Sequence, residues 1–200
     1  MKLLSRLYLP GLLFALFWLA GCTGRPAGGQ ADAAPKLDSL RAEGRRIAKA
    51  SFEELSQQLA RALETGGIPY ALQFCHANAG PLTDSLSAKH GARIRRTAGQ
   101  YRNPANAPDA QELALFETFA AQKTRGRDLK TADTALVLAP GKVLFAKPIL
   151  LLPQCAVCHG KVGDMVTEEQ YREIKKRYPE DRAVGFSAGD LRGMWAIYFE

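Results

Sequence analysis

The chain has 200 residues, 46% hydrophobic and 24% charged, with 27 Lys and Arg against 20 Asp and Glu for a formal net charge of +7. That length suits one domain with a real core. Loss of Lys2 and Arg6 with the N-terminal segment described next lowers the charge from +7 to +5, and an excess of this size does not argue for nucleic acid.

Residues 1–22 read as an address and not as part of a fold. Lys2 and Arg6 form a basic start, Leu7 to Leu19 are almost entirely apolar, and Leu19-Ala20-Gly21 places small residues before Cys22. A signal peptide ending this way resembles the lipobox of bacterial lipoproteins, whose cysteine is acylated and becomes the first mature residue. The apolar run is short for a membrane span. Cys22 is therefore the expected lipidation site. The mature chain is expected in the periplasm, anchored to a bacterial membrane, and Thr23 in place of an acidic residue points to the outer one. An ordinary signal peptide cleaved elsewhere and an uncleaved anchor are the competing readings. Residues 23–35, rich in Gly, Ala and Pro, read as a flexible tether, leaving 36–200 as one folded domain.

Leu40, Ile47, Phe52, Leu55, Leu59 and Leu63 recur at helical spacing and predict a helix over 36–65, stopped by Gly66-Gly67. A second helix is expected from Ile68-Pro69, carrying Tyr70, Leu72, Phe74 and Cys75 until Gly80-Pro81 interrupts it, with a short helical turn following. Residues 92–97 alternate as a strand. Residues 102–108 hold too many prolines for anything but an ordered loop, in which Asn103 and Asn106 bond the backbone. Asp109 then caps a helix to about Lys123, with Leu113, Phe116 and Phe119 on one side. The apolar runs 135–139 and 143–152 around Pro140-Gly141 predict a β-hairpin, with an edge or bulge at Pro148. A polar helix over 168–177 and a last strand over 194–199, with Trp195, Ile197 and Phe199 on one face, complete the chain. Helices first and then a small antiparallel sheet make an α+β domain.

The chemistry concentrates at Cys155-Ala156-Val157-Cys158-His159, directly after the second hairpin strand. This is the C-x-x-C-H pattern of covalent haem attachment. Two thiols at this spacing reach the two vinyl groups, and the next residue sets an imidazole beneath the iron. A dithiol redox pair needs no histidine at that position. A Cys3His zinc centre from Cys75, Cys155, Cys158 and His159 has the right ligand types, but adjacent Cys158 and His159 would strain a tetrahedron. Cys75 is left without a role. On position alone it reads as a buried, inert core cysteine, and the alternative is a thiolate ligand opposite His159.

Four blocks in order carry a resemblance. They are Tyr70-Ala71-Leu72-Gln73-Phe74-Cys75; Ile94-Arg95-Arg96-Thr97 with Tyr101 to Asp109; Pro148 with Cys155 to Gly160; and Tyr178 to Phe186 closing with Gly189-Asp190-Leu191-Arg192-Gly193. Over residues 36–200 the chain resembles the PAS-like c-type haem domain family of cyanobacteria and proteobacteria, catalogued as a domain of unknown function. The resemblance implies a small antiparallel sheet flanked by N-terminal helices, one covalent haem c, and iron ligated by His159 and by a cysteine that matches Cys75. His76 is the immediate competitor for that position; His90, Met165 and Met194 are weaker ones. Arg95, Arg96, Arg102 and Arg192 are the candidate partners of the propionates. Against that family pattern, the chain is expected to be the bare domain, with no output module attached.

A thiolate favours ferric iron and is released on protonation. The first functional expectation is thus a redox or gas sensor module that signals through a protein partner. The alternative is an electron-transfer lipoprotein at the membrane surface. A small haem peroxidase ranks last, since it needs a distal acid–base residue over an open site.

Overall fold

A computed structural model describes residues 33–200; the signal peptide, Cys22 and nearly all of the tether lie outside the described residues. The elements in order are α1 (Ala33–His90), β1 (Arg93–Thr97), a 3-10 turn (Pro104–Asn106), α2 (Ala110–Thr124), β2 (Thr134–Ala139), β3 (Lys142–Leu150), a 3-10 turn (Pro153–Cys155), α3 (Ala156–His159), α4 (Glu168–Arg177) and β4 (Leu191–Phe199). The strands form one antiparallel sheet in the order β1-β4-β3-β2. The domain is α+β, as the element order predicts.

α1 is a hairpin of two arms. A straight helix would hold Ile47 and Leu86 about 58 Å apart, yet both lie in one apolar cluster with Ala48, Ile94, Phe145, Trp195 and Ile197. The reversal falls at Gly66 (φ −158°, ψ 26°) and Gly67 (φ 65°, ψ −159°). The latter conformation is open to glycine alone. The Gly66-Gly67 stop is therefore present, whereas the expected break at Gly80-Pro81 is not. The second arm continues through Pro81 to His90, because Leu82 and Leu86, just beyond the lost backbone bond, pack into the same cluster. That burial outweighs one missing hydrogen bond.

The arms cover one face of the sheet and α2 the other, where Phe119, Leu129, Leu144, Met194 and Tyr198 form a second cluster. A capping box of Asp109 and Glu112 starts α2. Leu113, expected on its buried side, is 39% exposed, while Glu112 is fully buried. Glu112 accepts a hydrogen bond from the Tyr198 hydroxyl at 2.9 Å, and this partner lets a carboxylate sit inside. Pro148 lies in an interior strand, but β2 pairs β3 only as far as Ala146. Its missing N–H therefore faces no strand, and a register shift follows at Ile149/Leu150. A third cluster joins the second arm to α4 through Leu72, Val166, Ile174 and Tyr178. Among the described residues no helix is long and apolar enough to cross a membrane.

Candidate functional site

The C-x-x-C-H segment leaves β3 as two short helical turns, the 3-10 turn ending at Cys155 and α3. Helical spacing puts Cys155 and Cys158 on one side. Both thiols are free and half-buried, and burial raises the pKa of each. The segment is fixed by the 183–186 stretch alongside it. Gly185 N–H donates to Gly160 O at 2.8 Å and Phe186 N–H donates to His159 O at 3.0 Å.

His159 is oriented by the same stretch. Its Nδ1 lies 2.7 Å from Ala183 O. A carbonyl only accepts, so Nδ1 carries the proton and Nε2 presents a bare lone pair, the form a metal-binding imidazole takes. Arg192 Nε also stands 3.4 Å from Nδ1. It cannot donate to a nitrogen that already holds a proton, so the shorter contact decides the tautomer and Arg192 contributes charge. Burial, followed by the fields of Arg102 and Arg192, pushes the imidazole pKa well below its ordinary value. The ring is neutral.

Cys75 stands across from this segment on the second arm of α1. Burial raises its thiol pKa, opposed by Arg96 and Arg102. Cys75 in turn helps to raise the pKa of Cys158 and of Tyr178, after burial in each case. The structure thus gathers Cys75, Cys158, Arg96, Arg102 and Tyr178 into one electrostatic neighbourhood. Arg96 pairs with Trp195 in the β1–β4 register, on the α1 side of the sheet. It has no hydrogen-bond or ion-pair partner among the described residues, and burial lowers its pKa. Arg192 is pushed down to about 10, by burial first and then by Arg102. Its Nη1 donates to Gln100 O at 3.0 Å.

Arg102 is engaged through two of its three nitrogens. Its Nε donates to Asp181 Oδ1 at 2.9 Å, and its Nη2 donates to Cys158 O at 2.6 Å and Ala183 O at 3.3 Å. Arg95 is not brought to this place. It lies on the α2 side of the sheet, 3.4 Å from Glu112 and donating to Ala107 O at 2.9 Å, because neighbours in a strand face opposite ways.

The competing ligands are scattered. His76 is exposed, with its ring edge-on to Tyr178 at 4.9 Å between centroids. His90 ends the second arm, about 22 Å along the helix from Cys75, near Arg46 and Glu43. Met194 is fully buried in the α2-side cluster. Met165 is 48% exposed and packs close to the Gly160 Cα. Among the described residues no three His, Cys, Asp or Glu side chains form a metal-ion cluster, so the Cys3His zinc arrangement is not assembled. A groove of about 410 Å³ between the second arm and α4, lined by Ile68, Pro69, Leu72 and Thr167 among others, includes none of the predicted site residues. Asp181 and the Ala183 carbonyl are site groups that sequence reasoning passed over. They fall within the Tyr178–Phe186 block, and that block was their only signal.

A family model described as "Tll0287-like: Tll0287" matches residues 35–199. Among solved structures, the chain is similar to the crystal structure of the cyanobacterial heme-protein Tll0287. The two are 26% identical with a TM-score of 0.51, over 74% of this chain and 89% of that one. No curated protein matches the chain.

Proposed function

The chain belongs to the Tll0287-like family, and from that premise we propose that it is an exported haem protein carrying one covalent c-type haem and acting as a redox or gas sensor module. Cys155 and Cys158 would hold the haem through thioether bonds, His159 Nε2 would ligate the iron, and Cys75 would be the ligand opposite. The observation that carries this reading is the 2.7 Å contact between His159 Nδ1 and Ala183 O, which leaves Nε2 bare beside two free thiols. Arg96, half-buried and unpartnered among the described residues, and Arg192 suit the carboxylates of such a group. A bound haem supplies a one-electron couple and a spectrum that reports its ligands.

The sensing role rests on where Cys75 sits. A thiolate ligand is the exchangeable one of the pair, and Cys75 lies on an arm that follows the Gly66-Gly67 reversal. Release of that ligand would free the arm to move against α4, a packing change of the kind switches use. In this reading Cys22 is acylated and anchors the domain on the periplasmic side of a membrane, where it meets a redox or signalling protein.

The test is an absorption and EPR spectrum of the purified ferric protein beside Cys75→Ser. Low-spin ferric haem in the wild type, with a shifted spectrum and a raised midpoint potential in the variant, is the expected result. An unchanged spectrum sinks Cys75 as ligand. Fast reversible reduction with no change of ligands would mark an electron carrier instead.

A further inference from the structure

Asp181 is buried, 5% exposed, and its environment is unusual for a carboxylate. Oδ1 accepts from Arg102 Nε at 2.9 Å and from Ala183 N at 3.2 Å. Oδ2 is buried with no partner among the described residues. A group kept inside for hydrogen bonding alone would satisfy both oxygens. Here one oxygen is engaged and the other contributes charge. That charge faces the guanidiniums of Arg102 and Arg192.

The bonds run in a closed order toward one ring. Asp181 holds Arg102; Arg102 Nη2 reaches the carbonyls of Cys158 and Ala183; Ala183 O takes the proton-bearing Nδ1 of His159. Asp181 also holds the Ala183 N–H directly. Ala183 is therefore gripped on both sides of its Cα, at its N–H by Asp181 and at its carbonyl by Arg102. Metal-bound imidazoles depend on such outer partners for orientation and donor strength.

We propose that Asp181 and Arg102 are positioning residues for His159, fixing the tautomer and rotation of its ring through Ala183 and setting the charge that the ring experiences. The inference rests on the haem reading above and concerns how His159 is held. Asp181→Asn keeps an oxygen for Arg102 and Ala183 while removing the charge. Arg102→Lys keeps the charge but loses the fork that spans Asp181 and two carbonyls.

The experiment uses the full chain as purified with its haem. Its readouts are the midpoint potential and the paramagnetically shifted NMR signals of the His159 ring, with haem content by pyridine haemochrome as the reference. Asp181→Asn is expected to raise the potential, changing the reduced-to-oxidised ratio at fixed poise by up to about tenfold, the scale of one buried charge acting across a few side chains. Arg102→Lys is expected to shift the His159 ring signals through altered rotation. If it loads too little haem for NMR, Arg102→Gln, which keeps a planar donor, takes its place. A haem-loaded Asp181→Asn with wild-type potential and ring signals overturns the inference and leaves the haem reading standing. A wild type with no covalent haem overturns both.

Discussion

Gly160→Ala perturbs the candidate site through packing alone. Gly160 has φ −71° and ψ −174°, which an alanine adopts freely, so no backbone strain is involved. The added Cβ would stand 2.5 Å from Ala156 O and 2.6 Å from Met165 Cβ. Neither neighbour retreats easily. Ala156 O is the acceptor of the Gly160 N–H at 2.7 Å, so moving it breaks the bond that closes α3. Met165 is partly exposed, but the close atom is its Cβ, which moves only with the backbone. Overpacking of this kind costs about 1–3 kcal/mol, or about 2–4 °C of melting temperature for each kcal/mol in a domain of this size. The strain falls on the turn carrying Cys158 and His159. Urea and thermal unfolding give the stability, and pyridine haemochrome gives the extent of haem attachment. Gly80→Ala is the control: its Cβ meets nothing within 4 Å, and it lies in a helix, where alanine is favoured by up to about 1 kcal/mol. Equal melting temperatures for Gly160→Ala and wild type would refute the reasoning.

Gly67→Ala places a side chain at φ 65°, ψ −159°, at an expected cost of about 1–3 kcal/mol measurable by urea unfolding; a neutral variant would mean that the arms reverse elsewhere. Asp133 is clamped by Arg41 and Arg45. Burial works to raise its carboxyl pKa, but the hydrogen bonds from Arg45 and Arg41 outweigh it and hold the value below the ordinary 3.8. A carboxylate lowered in the folded state adds stability above its unfolded pKa and loses it as pH falls through the folded value. Both arginines are two-fifths or more exposed, so the expected loss in Asp133→Asn is at most about 1 kcal/mol at pH 7. It should shrink in melting curves as the pH falls below 3.8 and through the lowered folded-state value, and a deficit that stays constant down the acid series would mean that packing and not charge holds the clamp.

How much was legible in the sequence depended on how local the determining contact is. The polar helix over 168–177 reproduces α4 from end to end, because its Thr167–Gln170 capping box and basic last turn are written within a dozen residues. The hairpin around Pro140-Gly141 follows from Gly141 at φ 80°. Alternation predicts that Arg95 and Arg96 diverge, but not which of them meets α1. That is decided by β1 pairing with β4 at the far end of the chain. Asp181 was illegible for a stronger version of the same reason. Its partner Arg102 lies 79 residues away, and although each falls in one of the four blocks, nothing local pairs the two. The pentad needed no tertiary information, whereas the opposite wall needed the reversal of α1 to bring Cys75 near it.

That division bears on which ligand would exchange in the proposed site. The His159 segment is held by directional bonds: Gly185 to Gly160, Phe186 to His159, Arg102 to Cys158 and His159 to Ala183. Displacing it breaks several hydrogen bonds at once, two of them part-buried and costly to leave unmade. Cys75 rides on an arm joined to α4 by Ile68, Leu72, Val166, Ile174 and Tyr178, contacts that tolerate a small slide since apolar packing has no preferred direction. The arm begins at a glycine pair that already spans an unusual backbone geometry. An equal choice of ligand bond to break would therefore fall on Cys75. The cost of moving His159 includes its whole frame of directional bonds, while the cost of moving Cys75 falls on apolar packing, at the α4 seam and at the Leu82 and Leu86 contacts further along the arm.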